Sequence, residues 1–79
     1  SCEIIIDENV LKLGHRIMDI PFPEKTLVVM LKRGEHYFIP NGKTELHKDD
    51  KLLIITDDRD AVLETYRQIG LQNEIPPLD

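Results

Sequence analysis

Two unbroken apolar runs, Leu-Val-Val-Met-Leu at 27–31 and Leu-Leu-Ile-Ile at 52–55, constrain this chain more than any other feature. Runs of this length, rich in branched side chains, read as strands covered on both faces, whereas a strand with one wet face alternates apolar and polar residues. A chain of 79 residues has too little of itself to cover both faces of a sheet, because domains of this size bury only roughly 60% of their unfolded surface. Its own helices are expected to cover one face. The other, carrying Leu27, Val29, Leu31, Leu53 and Ile55, is left for a second copy, which predicts a homodimer.

Other braces are excluded by composition. A single cysteine, Cys2, permits no internal disulfide and fits a reducing compartment. Hydrophobic residues make up 41% and charged residues 32%, the balance of a folded soluble domain, and aromatics are only 5%, so the core is aliphatic. The net charge of -5 and the absence of any basic cluster longer than Lys32-Arg33 argue against nucleic-acid binding. Nothing approaches the length of a membrane span or resembles a signal peptide. We expect one domain over 1–79, with its core at 3–70 and a loose Pro-Pro tail at 71–79, cut from something longer.

In chain order, Glu-Ile-Ile-Ile-Asp at 3–7 reads as a strand and 8–14 as an extended connection closing at Gly14. One or two helical turns follow at 14–19, with Ile17 and Met18 facing in and a stop before Pro21. Phe22, held between Pro21 and Pro23, plugs the core. Strands at 26–33 and 35–39 form a hairpin about Arg33-Gly34, the second placing Glu35, Tyr37 and Ile39 on one face and His36 and Phe38 on the other. Asn41-Gly42 marks a reversal through positive φ into a short strand at 44–46. The run at 51–56 is the last strand. Asp57 or Asp58 then caps a helix whose stripe is Val62, Leu63, Tyr66 and Ile69 and whose stop is Gly70. The fold class expected is α+β: a small, mostly antiparallel sheet of four to five strands, with one short and one longer helix on one face.

Few residues offer chemistry. His15, His36 and His47 lie on different elements without the paired spacing of a zinc site, and the aspartates at 49–50 and 57–60 suit turns and a cap better than a calcium loop. Cys2 has no identifiable base, and the four glycines are isolated, so neither a nucleophile nor a phosphate loop is indicated. No enzyme is expected. The hairpin is the exception, since Arg33 can pair bidentately with phosphate and His36, Ile39 and Pro40 supply an imidazole and an apolar shelf. That mix can hold a nucleotide; equally, it can be a solvated turn arginine beside a packed aromatic pair.

An ordered set of residues also resembles a known family. Glu3-Ile-Ile-Ile, Gly14 with Ile17-Met18, Pro23, Lys32-Arg33-Gly34-Glu35, Phe38-Ile39-Pro40, Gly42, Thr44, Leu46 and Asp50-Lys51-Leu52 are similar to the C-terminal domain of regulators of potassium conductance, the TrkA-C domain. The resemblance implies a cytosolic regulatory module that dimerises and, in some members, senses a nucleotide or ion. It is closest to copies attached to the membrane transport domain of potassium/proton antiporters, at the cytoplasmic side of the bacterial inner membrane, with the C-terminal domain of a potassium channel or uptake regulator as the alternative host. Cyclic di-AMP or another adenine nucleotide is the ligand implied. One departure stands out: Asp49 occupies the turn position where the family commonly has glycine.

Overall fold

The computed structural model describes the backbone of residues 2–73 and the side chains of residues 2–71. Four strands, β1 (Cys2–Ile5), β2 (Thr26–Arg33), β3 (His36–Phe38) and β4 (Lys51–Thr56), form one antiparallel sheet in the order β1-β4-β2-β3. Two α-helices, α1 (Glu8–Leu11) and α2 (Arg59–Asn73), and a 3₁₀ turn at Ile17–Asp19 complete the chain. The α+β class therefore holds, with four strands.

The two apolar runs form the centre of the sheet, β2 beside β4. Their register pairs Leu27 with Ile55 and Val28 with Ile54, then resumes at Met30 with Leu53 and Leu31 with Leu52. Val29 thus has no partner opposite it: it is the extra residue of a β-bulge, which shifts the alternation by one position. Directly paired residues share a face. Val28, Leu31, Leu52 and Ile54 consequently point to the covered side, joined there by Ile4 and Cys2 of β1.

This overturns one expectation. Strict alternation put Leu27, Val29 and Leu31 on a single exposed face, but Leu31 is wholly buried in the core, and Met30 takes the place beyond the bulge that it was assigned.

The covered side is sealed by pieces of the chain on either flank. Val62 and Ile69 of α2 are buried and Tyr66 is half-buried, whereas Leu63, placed on the same stripe, is exposed at its flank. Asp58 accepts the Ala61 N–H at 3.0 Å and starts the helix, as its position predicts. The helix runs through Gly70, whose helical backbone makes it no stop, to Asn73. Residues 71–73, expected in the loose tail, are thus helical, and the rest of that tail lies outside the described residues. Tyr66 ties α2 to the sheet, its hydroxyl donating to the Ile5 carbonyl at 2.6 Å. Burial, aided by the Asp7 charge, pushes that phenol's pKa up.

Between β1 and β2 the chain differs from its sequence reading. Residues 8–11 are helical, not extended, because Asp7 caps them by accepting the Val10 N–H at 3.0 Å and Val10 is buried. Only Ile17 of the 3₁₀ turn faces in; Met18 is 56% exposed. Segment 44–46 is not a strand of the sheet. It pairs instead with 15–18, through Leu46 N–H to His15 O at 2.6 Å, Ile17 N–H to Thr44 O at 3.2 Å and a bridge between Arg16 and Glu45. Asn41 forms its turn with its side chain, accepting the Lys43 N–H at 2.8 Å, and neither Asn41 nor Gly42 has positive φ.

Positive φ is used where the chain reverses most tightly. Gly34, at φ 59, is the first of two residues between Arg33 and His36, the arrangement of a type II′ hairpin. Asp49, at φ 75, adopts the same left-handed region at a cost glycine does not bear. Replacing Asp49 with glycine should raise stability by roughly 0.5–1 kcal/mol and replacing it with valine should lower it by at least about 1 kcal/mol. Urea titration of the three proteins measures this, and a glycine variant no more stable than the parent contradicts strain at this turn.

Candidate functional site

Since both helices and the 3₁₀ turn lie on the covered side, the opposite sheet face is bare. Register gives its contents. Ile55 and Leu27 are paired at one end, Leu53 and Met30 in the middle, and Ile5, Lys51, Lys32 and Tyr37 form a row at the other end. Leu27 is 62% exposed and Ile55 54%, with Ile5 and Tyr37 similarly open. Of the residues expected on this face, Leu27, Leu53 and Ile55 are there, Val29 sits in the bulge and Leu31 is inside. Ile5, Met30 and Tyr37 complete the face, and they went unrecognised because neither the bulge nor the β1–β4 pairing is written in the local pattern.

The residues expected to hold a nucleotide separate into different places. Arg33 is not a turn arginine in water. Its Nε donates to Asp50 Oδ1 at 2.9 Å and its Nη2 to Asp50 Oδ2 at 2.7 Å, with a further bond from Nη2 to the Glu45 carbonyl at 3.1 Å. The guanidinium lies 5.3 Å from the Phe38 ring centroid. Asp50, 1% exposed, also accepts the His47 N–H at 2.7 Å. Burial works to raise the Asp50 pKa, but the Arg33 hydrogen bond, the His47 N–H and the Arg33 charge outweigh it and hold the carboxyl below its usual range. The Asp50 hydrogen bond in turn pushes the Arg33 pKa up.

His36 is exposed at the turn end of the hairpin, opposite Arg33. Pro40 is four residues along, roughly 13 Å of extended chain. There it lines an open cavity of about 400 Å³ with Ile17, Phe22, Thr26, Leu27 and Val28, floored by the Asn41-Gly42 turn. Ile39 stands beside it, 81% exposed. This cavity has the size and apolar lining of a small-molecule site, and Leu27 belongs both to it and to the bare sheet face. The structure therefore joins Pro40 to Phe22 and Leu27, leaves Ile39 exposed next to it in the chain, and gives Arg33 to Asp50. Among the described residues no cluster of three or more metal-ligating side chains occurs, and no helix is long and apolar enough to cross a membrane.

The Arg33–Asp50 pair generates a direct expectation. Arg33→Met should cost about 3 kcal/mol, since it strands a buried carboxylate, and Arg33→Lys should recover little because a single ammonium cannot reproduce the fork. Asp50 has a depressed folded pKa, so its contribution is fully present above the ordinary carboxyl range near pH 4 and is lost as pH falls through the lower folded value. Chemical denaturation from pH 6 to pH 2.5 should thus show a flatter acid limb for Asp50→Asn than for the parent; parallel limbs would exclude the pair as a source of acid sensitivity.

Comparison with known proteins agrees with this geometry. The family model of the TrkA-C domain matches residues 3–70. A Trk system potassium uptake protein TrkA homolog from Archaeoglobus fulgidus is 26% identical over 65 residues, covering 80% of this chain but 15% of that protein. Among solved structures, the C domain of the potassium transport protein KtrA, a regulator of conductance of K⁺ (RCK), in complex with cyclic diadenosine monophosphate, aligns with a TM-score of 0.65 at 24% identity, over 85% of this chain and 78% of that one. The RCK_C domain dimer of S. agalactiae BusR in complex with c-di-AMP aligns at 0.60 and 18% identity, over 90% and 93%. BusR bound to its busAB-promotor DNA aligns at 0.63 and 17%, over 94% of this chain and 37% of that one. With its strand order, its one-sided helical cover and a family match across 3–70, the chain belongs to the TrkA-C domain family.

Proposed function

We propose that this chain is the regulatory, dimerising and nucleotide-sensing domain of a bacterial potassium/proton antiporter, held at the cytoplasmic side of the inner membrane by an attached transport domain. The observation that carries the reading is the bare apolar sheet face of a TrkA-C domain, with a ligand-sized cavity opening at its edge where Leu27 serves both. A ligand in that position contacts the seam between two copies, so binding favours one relative orientation of the protomers, and a joined membrane domain receives the difference as work. Cyclic di-AMP is the first candidate, because two of the structural relatives are complexes with it. The host is proposed from the resemblance of the Lys-Arg-Gly hairpin and of the 52–60 segment to antiporter-attached copies. A regulatory subunit of a potassium uptake system is the alternative, favoured by the relative from Archaeoglobus.

The domain has no catalytic role in this reading, and its net charge of -5 disfavours DNA as a partner of its own. A purely structural dimerisation module would need the same apolar face but no ligand. Leu27→Glu or Leu53→Glu should convert a dimer at micromolar concentration to monomer in sedimentation experiments, and a parent chain that sediments as a monomer removes the shared premise. Calorimetry with cyclic di-AMP, AMP, ATP and NADH then separates the two readings. Saturable binding of cyclic di-AMP that weakens roughly tenfold in Ile39→Ala and Pro40→Ala supports sensing; a dimer indifferent to all four leaves the structural module. Arg33 variants are unsuitable here, since they disturb the Asp50 pair.

A further inference from the structure

Lys32 and Lys51 stand directly opposite each other on β2 and β4, on the bare face. Like charges in that relation repel, and strands ordinarily place an acid or a neutral residue there. Among the described residues the ion pairs are Lys25–Asp57, Arg33–Asp50, Lys48–Glu8 and Arg67–Glu64, so neither Lys32 nor Lys51 has a carboxylate within ion-pair distance. Lys32 Nζ lies 5.4 Å from the centroid of the Tyr37 ring. The two lysines border a cavity of about 140 Å³ whose other walls are Glu3, Met30, Tyr37 and Leu53. They also line a second hollow with Gly34 and Asp49.

We propose that this cleft is an anion site for a small singly headed oxyanion metabolite, with the phosphate or carboxylate head between Lys32 and Lys51 and an apolar body on the Tyr37 ring, at the end of the face beyond the panel that a second copy covers. Two ammonium groups face one carboxylate, Glu3, across the cavity, so the walls carry a net single positive charge. That charge suits one head group, not a polyphosphate. The volume is below the roughly 300 Å³ at which pockets for drug-sized ligands begin, which excludes a dinucleotide. The site is also distinct from the Pro40 cavity, since the Lys32–Lys51 row and the Leu27–Ile55 pair lie at opposite ends of the face. A head group held between the two ammonium groups relieves their repulsion and forms a charge-assisted bond with each.

The test is a titration of the whole chain with inorganic phosphate and with phenyl phosphate, followed by amide chemical shifts at constant ionic strength against chloride. Saturable shifts centred on Lys32, Tyr37, Lys51 and Leu53 are expected, tighter for phenyl phosphate than for phosphate. Lys32→Gln and Lys51→Gln should each weaken binding roughly tenfold, and Lys43→Gln should leave it unchanged. Without phosphate the Lys32 and Lys51 variants should be no less stable than the parent, because each removes one member of a repelling pair. Equal shifts with chloride, binding that survives in Lys51→Gln, or no binding at all overturns the proposal. In the last case, loss of self-association in Lys51→Gln would identify a carboxylate of a second copy as the counter-ion.

Discussion

The pairing of Arg33 with Asp50 is the interaction on which the arrangement of this small domain depends. Asp50 stands where four segments meet. Its carbonyl accepts the Ile6 N–H at 2.8 Å, its neighbour Asp49 donates to Ile6 O at 2.7 Å, and its carboxylate takes the Arg33 fork and the His47 N–H. The end of β1, the start of β4, the hairpin of β2 and β3 and the 45–47 loop are thereby fixed to one another. A buried ion pair is weak grounds for net stability, since desolvation offsets much of the attraction, but breaking one partner away is costly. Its effect here is therefore on specificity: it sets where the hairpin lies relative to the turn before β4.

That fixed hairpin leaves a sheet with a division of labour between its faces. The covered side holds Ile4, Leu31, Leu52 and Ile54 under Val62 and Ile69, all nearly inaccessible. The bare side runs from an apolar panel at Leu27, Met30, Leu53 and Ile55 to a basic row at Lys51 and Lys32. A monomer would keep that panel in water, and an apolar face of this kind favours association. The Pro40 cavity lies at the panel's edge, and Leu27 belongs to both.

Several features were legible before any coordinates. The strands at 26–33 and 51–56 follow from apolar runs too branched for helix, the hairpin from Gly34, and the start of α2 from Asp57 or Asp58 placed before a 3.6-residue stripe. The aspartate caps illustrate the limit. A cap at Asp57 or Asp58 is legible because a long stripe follows, and the structure selects Asp58, whereas Asp7 caps a single turn with too few residues to show a period. The candidate ligand residues divided similarly: Pro40 lines a cavity, and Arg33 meets an acid seventeen positions away that a local reading assigns to a turn.

The sequence by itself determined the class of the fold, the two central strands, the aliphatic core and the surplus of apolar surface that calls for a partner, because periodicity and composition are local and additive. Only the tertiary structure decided which residues form that surface. The bulge at Val29 moves Met30 outward and Leu31 inward, since a period of two transfers every later side chain to the other face after a single inserted residue. Long-range contact likewise decided that Arg33 serves Asp50, and that Lys32 and Lys51, 19 positions apart in the chain, face each other with no ion pair to either among the described residues.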